Sequence, residues 1–270
     1  MKRICFVVNV DWFFLSHRLP IAKETLNTGA EVWVVAADTG YKQEIESYGF
    51  QFVHFPFSRN GTNLISEVFD LHRLYKLYRK INPDLVHHVT IKPVIYGSLV
   101  TRLIKNIKVV NAITGMGFAF SDDDKASKIS SIVKVAYRIA LNNKMIRVIF
   151  QNKQDREVFL KEGFVKIEQT ALIRGSGVDC EKFKPAVNKS SEKIVLLASR
   201  MIWDKGIQEF FESSKIVKEQ NPEVRFILAG KADQGNPNVV PEEKLISWTK
   251  EGHVEWLGHV DNMLELIKDQ

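Results

Sequence analysis

Short apolar runs and segments of helical period alternate along nearly the whole chain, and that alternation limits the fold more than any other feature. Ile4–Val8 reads as a buried strand, residues 19–27 as a helix ended by Gly29, and Glu31–Ala37 as a second buried strand. Glycine suits the residue after a helix. Strand, helix and strand within some thirty residues make the βαβ unit of a parallel sheet. Further strands are expected at 51–55, 84–88, 108–113, 147–150 and 168–173, with helices at 42–48, 64–80, 93–105, 126–142 and 153–162 between them. Residues 179–193, with Pro185 and mixed polar side chains, read as a linker. The rhythm then restarts with strand 194–199, helix 207–220, strand 224–229, helix 241–250, strand 253–257 and a helix from Met263. The expected fold is α/β, with two Rossmann-like parallel-sheet domains over 1–186 and 187–270. The second offers three strands, which bury little apolar surface. Its last helical pattern, Met263, Leu264 and Ile267, runs to Gln270 without a capping signal. An incomplete second domain, and a C-terminally truncated chain, are expected.

Composition excludes several classes. Two cysteines, Cys5 in a strand and Cys180 in a loop, make no disulfide framework and fit a reducing, cytoplasmic compartment. Asn9 and Asp11 break the first apolar run too early for a signal peptide, and no run reaches membrane-spanning length. Charge is uneven: residues 1–186 carry 27 Lys+Arg against 18 Asp+Glu, a balance of +9, and the remainder 11 against 14, or −3. A basic half allows nucleic acid, an anionic membrane or acidic substrates as partners without choosing among them.

In open parallel sheets, ligands collect beyond the carboxyl ends of the strands. The segments placed there are Asn9–His17, His87–Lys92, Thr114–Phe118, Gly175–Asp179, Arg200–Lys205, Gly230-Lys231 and Gly258–Asp261. Arg200 follows a strand, and Lys205-Gly206 precedes the helix whose apolar positions are 207, 210, 211, 214 and 217. Two cations at a strand-to-helix junction, next to the helix amides, suit an anion such as a phosphorylated ligand. A pair of solvated surface cations is the open alternative. Neither a Gly-x-Gly-x-x-Gly nor a P-loop pattern occurs, and no Gly-x-Ser-x-Gly elbow. His87 and His88 point to opposite faces of one strand, and no clustered Cys/His set exists, so no metal site is expected. The helix at 64–80 and the segment 125–147 interleave cations with apolar residues. Such helices pack on a sheet or lie in a membrane interface.

The opening Phe6–Pro20, Pro83–Lys92, Thr114-Gly-Met-Gly-Phe118, Gly175–Asp179 with Phe183 and Pro185, and above all Ser199-Arg-Met-Ile-Trp-Asp-Lys-Gly206 resemble glycosyltransferase family 4 over the whole chain. The resemblance implies a GT-B fold and a retaining hexosyltransferase acting in bacterial surface polysaccharide or glycan synthesis. The members it resembles most include N-acetylgalactosaminyltransferases that work on lipid carriers. Its donor would be a nucleotide-sugar, UDP-HexNAc or UDP-hexose, and its acceptor a lipid-linked glycan, with no cofactor, no metal and no nucleic acid. Arg200 and Lys205 would neutralise the donor diphosphate and act as the catalytic cations. Gly258, His259 and Val260 would meet the nucleotide base. On the acceptor side stand Asn9, Asp11, His17, His88, Lys92, Thr114, Gly115 and Gly117, with Thr114 where many members carry a histidine. The family's second-domain Glu-Gly-x-Pro motif has no counterpart in the 270 residues, so the chain alone is expected to be inactive or nearly so. The expected location is cytoplasmic, with peripheral contact to the anionic inner face of the membrane. The rival readings are a non-hydrolysing sugar-nucleotide 2-epimerase, tested by epimerisation of free donor, and a non-catalytic module binding a membrane or partner.

Overall fold

The computed structural model describes residues 1–57, 64–115, 126–184 and 192–268. Gly117, the acidic run 122–124 and Pro185 lie outside the described residues. The chain divides into two compact units, Met1–Gly177 and Val178–Gln270.

Unit 1 is a parallel sheet of strands β1 (Arg3–Val10), β2 (Glu31–Ala37), β3 (Gln51–His54), β4 (Leu85–Val89), β5 (Lys108–Ile113), β6 (Ile146–Phe150) and β7 (Thr170–Leu172). Their spatial order is β3-β2-β1-β4-β5-β6-β7. Helices α1 (Asp11–His17), α2 (Leu19–Asn27) and α3 (Lys42–Ser47) belong to one core, in which Phe14, Ala22 and Ile45 meet Phe6, Val8, Val32 and Val34. A second core joins Cys5, Val7, Val35, Val86 and Val109 to α4 (Leu64–Ile81), α5 (Ile91–Thr101), α6 (Ala126–Leu141) and α7 (Lys153–Lys161). Each central strand thus buries both faces, which is why its sequence reads as an unbroken apolar run. The order reverses between β1 and β4, the point where open α/β sheets take their ligands.

Unit 2 holds β8 (Ile194–Ala198), α8 (Ile207–Gln220), β9 (Arg225–Ala229), α9 (Glu242–Lys250), β10 (Glu255–Trp256) and α10 (Met263–Lys268). Its sheet order is β10-β9-β8, all parallel. Met201, Ile207, Phe211, Phe226, Leu228 and Trp248 form its core. The run 194–199, whose apolar sequence predicts burial on both faces, is instead an edge strand with Val195 41% exposed.

Candidate functional site

The carboxyl ends of β1 and β4 meet at the reversal. Val7 pairs with His88, so Asn9, still on β1, and Thr90, just past the end of β4, follow two residues later side by side. A cavity of about 870 Å³ opens there, lined by Asn9, Trp12, Phe13, Asp38, His54, Thr90, Lys92, Thr114 and Gly115 among others. Asn9 Oδ1 and Thr90 Oγ1 are both buried without a hydrogen-bond partner. Buried polar atoms are nearly always paired, so this pair leaves two oxygens open to water or to the polar groups of a ligand. Thr90 also holds φ 76°, a conformation that costs a β-branched residue about 1–3 kcal/mol. Lys92 binds Glu67 at 2.9 Å, tying the start of α5 to α4.

Not every residue expected on the acceptor side reaches this cavity. Asp11 is buried and its carboxylate accepts from Trp12 N–H, from Thr39 N–H and Oγ1–H, and from Tyr41 N–H. Burial alone would raise its pKa, but those bonds, Thr39's first, outweigh it and hold the carboxyl below the ordinary range. It is a strut for the 38–41 loop rather than an acid or base facing substrate. His88 is corrected more sharply. It lies wholly inside the core, where Nδ1 meets Asn111 Oδ1 at 2.8 Å and Nε2 meets Tyr78 Oη at 2.8 Å. Because Asn111 also donates from Nδ2 to Ser98, its Oδ1 accepts, and the network assigns the proton to His88 Nδ1. Burial brings the His88 pKa down to about 4, so the ring is neutral. His17 stacks on Phe13 at 4.2 Å and contacts Ser16 Oγ through Nδ1, outside the cavity wall. Asn9, Lys92, Thr114 and Gly115 do share the wall; Gly117 is outside the described residues.

In unit 2 the junction after β8 is longer than a simple turn. Met201 and Ile202 bridge to Ala232 and Val239, then Trp203–Lys205 form a 3-10 turn and Gly206 starts α8. Arg200 Nη1 binds Asp233 Oδ2 at 2.8 Å and is 62% exposed. Lys205 is exposed and makes no ion pair among the described residues. Gly230 brings the segments together: a Cβ there would stand 1.7 Å from the Ser199 carbonyl oxygen, and its N–H donates to Gly258 O at 2.7 Å. The close approach needs glycine. Arg200 and Gly258 therefore flank one backbone knot at the sheet's carboxyl edge, while His259, paired with Asp261 at 3.2 Å, stays in solvent. Among the described residues no three His, Cys, Asp or Glu side chains converge as a metal site.

The model for glycosyl transferase 4-like proteins matches residues 3–152, more than half of the chain. The chain belongs to the glycosyl transferase 4-like family. Residues 179–270 of this glycosyltransferase match the glycosyl transferases group 1 model. It is 26% identical over 99% of its length, and 72% of the relative's, to a Campylobacter jejuni N,N'-diacetylbacillosaminyl-diphospho-undecaprenol alpha-1,3-N-acetylgalactosaminyltransferase. An Escherichia coli UDP-Gal:alpha-D-GlcNAc-diphosphoundecaprenol alpha-1,3-galactosyltransferase is 31% identical over 64% of the chain and 47% of the relative. Among solved structures, a Rickettsia africae glycosyltransferase superposes with TM-score 0.73 at 17% identity, covering 100% of this chain and 71% of that one. Anabaena HepE bound to UDP and glucose gives 0.70 at 18% identity, covering 100% and 72%. These superpositions bear out the expected GT-B fold.

Sequence reasoning passed over Thr90, Asp233 and Arg18. Thr90 lies within the Pro83–Lys92 segment but was not singled out there, and its strain exists only once β4 and α5 are joined. Asp233 lies 33 residues from Arg200. Arg18 stands inside Phe-Phe-Leu-Ser-His-Arg-Leu-Pro, an apolar setting that does hint at burial.

Proposed function

We propose that this family member transfers a hexosyl or N-acetylhexosaminyl group from a UDP-sugar to a lipid-linked glycan acceptor, with retention at the anomeric carbon. The observation that carries the reading is the cavity at the β1/β4 reversal with the unpartnered oxygens of Asn9 and Thr90 in it. Those atoms suit the hydroxyls of a sugar, and the aromatic wall of Trp12 and Phe13 suits its apolar face. Arg200 and Lys205 would take the charge of the departing nucleotide, with Arg200 exchanging Asp233 for phosphate. The departing phosphate would then draw the proton from the attacking hydroxyl on the same face of the sugar. No metal enters this scheme, and chelation is expected to leave the rate unchanged. The relatives named above, which act on diphosphoundecaprenol-linked sugars, support the acceptor class.

The decisive assay supplies radiolabelled UDP-GalNAc, UDP-GlcNAc or UDP-galactose with a synthetic undecaprenyl-diphosphate sugar and separates the lipid products. A labelled, α-linked lipid is expected, and its formation would overturn the expectation from the resemblance that these 270 residues alone are inactive or nearly so. Epimerised free donor with no lipid product would replace the transferase reading by the epimerase one.

The acceptor class also supports a location of the chain at a bilayer surface. No helix among the described residues is long and apolar enough to cross one. The layer formed by α4, α5 and α6 exposes Val68, Phe69, Leu103, Ile132, Val135 and Ile139. An apolar groove of about 410 Å³, lined by Val68, Leu71, His72, Tyr75, Leu99 and Leu103 among others, runs between α4 and α5. The exposed Lys76, Arg79, Lys80 and Lys105 make no ion pair among the described residues. Exposed apolar side chains and exposed cations on the same helical layer match an anionic lipid surface. Flotation with vesicles of phosphatidylglycerol at low salt is expected, and it should weaken in Leu103→Glu/Ile132→Glu. Failure of the parent chain to float would remove the membrane contact while leaving the transfer reaction standing.

A further inference from the structure

We propose that Arg18, with Ser176 and His87, forms a binding site in unit 1 for an oxyanion of the phosphate class, built from residues other than Arg200 and Lys205. Arg18 closes α1 and opens α2, and it is 4% exposed. Its Nη1 donates to His17 O at 3.0 Å and to Ser176 Oγ at 3.2 Å, both neutral acceptors. Its Nε is buried with no partner. No carboxylate pairs with it among the described residues. Asp11, on the same helix, spends its oxygens on Trp12, Thr39 and Tyr41.

A guanidinium does not shed its proton in proteins, so this charge is buried without compensation. Natural proteins keep buried charges paired, because an isolated one is strongly destabilising. Burial accordingly pulls the Arg18 pKa down. The neighbouring His87 is buried edge-on to Phe6, feels the Arg18 charge, and has its Nε2 buried without a partner. Burial, then Arg18, bring its pKa down to about 3, so it is neutral and adds no competing charge. The cation, its own Nε without a partner, thus has the orphan His87 Nε2 and the Ser176 hydroxyl as neighbours, and its counter-charge is not supplied by the described residues. Ser176 lies between Gly175 and Gly177, and a Cβ on Gly177 would meet nothing within 4 Å, so there is open space beside the loop. A guanidinium fork with an adjacent hydroxyl is matched to a phosphate's several oxygens. The diphosphate-linked acceptor proposed above carries such a group, but the site's existence does not depend on that reading.

The test uses the whole chain carrying Arg200→Ala and Lys205→Ala, which silences the cations of unit 2. Thermal unfolding is followed with increasing sodium pyrophosphate, with orthophosphate and acetate at matched ionic strength as further arms. A rise of about 2–4 °C with pyrophosphate is expected, with a smaller rise for orthophosphate and none for acetate. Adding Arg18→Met should abolish the rise, and should raise the ligand-free Tm because the unpaired charge is gone. Where Arg18→Met does not fold, Arg18→Lys decides: it keeps the charge without the fork and should weaken pyrophosphate at least threefold. The proposal falls if the parent double variant shows no pyrophosphate rise, if acetate acts equally, or if Arg18→Lys keeps the rise in full. Failure here leaves lipid-product formation untouched, so the two readings are separable.

Discussion

Thr90 is a β-branched residue held at φ 76° with its hydroxyl buried and unpartnered at the cavity. Strain of this kind persists when surrounding structure enforces it and function uses it. Thr90→Gly is expected to raise stability by about 1 kcal/mol, measured by urea unfolding, and to lower transfer at least tenfold. Unchanged transfer would show that the hydroxyl touches no substrate. Arg200→Ala predicts the opposite split. Its pair with Asp233 is solvent-screened, so stability should move by less than about 0.5 kcal/mol, while the KM for UDP-sugar rises. His87 and His88 set the pH dependence. Burial lowers both below an unfolded value near 6.5, to about 3 and about 4. The unfolded chain then binds more protons, so their contribution is complete above pH 6.5 and is lost as pH falls toward 4. At pH 5 each is expected to have cost unit 1 about 2 kcal/mol. Hydrogen exchange of the 85–89 backbone should quicken accordingly between pH 7 and 5, after correction for intrinsic rates, and His88→Gln should flatten the trend.

At the scale of elements, the decisive packing is α5 against β4. A Cβ on Gly97 would lie 2.1 Å from His88 Nε2, inside a ring already fixed by Tyr78 and Asn111. Gly97→Ala is expected to destabilise the chain by about 3 kcal/mol or more, since neither the strand nor the hydrogen-bonded ring has room to yield; circular dichroism with urea measures it. Central strands were legible because burial on both faces leaves an apolar run, and β2 and β5 match their expected limits residue for residue. α5 was legible only in part. It starts at Ile91, two residues before the Pro93 that marked its expected beginning, and that shift puts Lys92 on the helix and on the cavity wall. α1 was not read as a helix, since seven residues of mixed aromatic and polar type show no clear period. β8 was over-read: an edge strand and a central strand share the same apolar composition, and only pairing tells them apart. The orphan atoms of Asn9, Arg18 and Thr90 were illegible in principle, because lacking a partner is a property of the assembled fold.

The whole molecule joins two units of unequal cohesion. Unit 1 packs helices into cores on both faces of a sheet of seven strands. Among its described residues, unit 2 has a three-stranded sheet, a single core cluster, and an edge strand with Val195 in solvent. The buried fraction of a domain grows with its size, so a unit of 93 residues keeps a smaller margin over chain entropy than one of 177. Arg225 does clamp the small sheet, donating to both oxygens of Glu255 and to Glu192. Those groups are exposed enough that the clamp contributes little. Calorimetry of the chain is therefore expected to show two transitions, unit 2 melting first. UDP-sugar should raise the lower one if Arg200 and Lys205 hold the diphosphate, because a ligand stabilises only the unit it binds. Trp203, Trp248 and Trp256 report unit 2, and Trp12 and Trp33 report unit 1, so tryptophan replacement assigns each transition. A UDP-sugar shift confined to the upper transition would place the donor's phosphates away from Arg200 and Lys205, and a single transition would show that the two units unfold cooperatively.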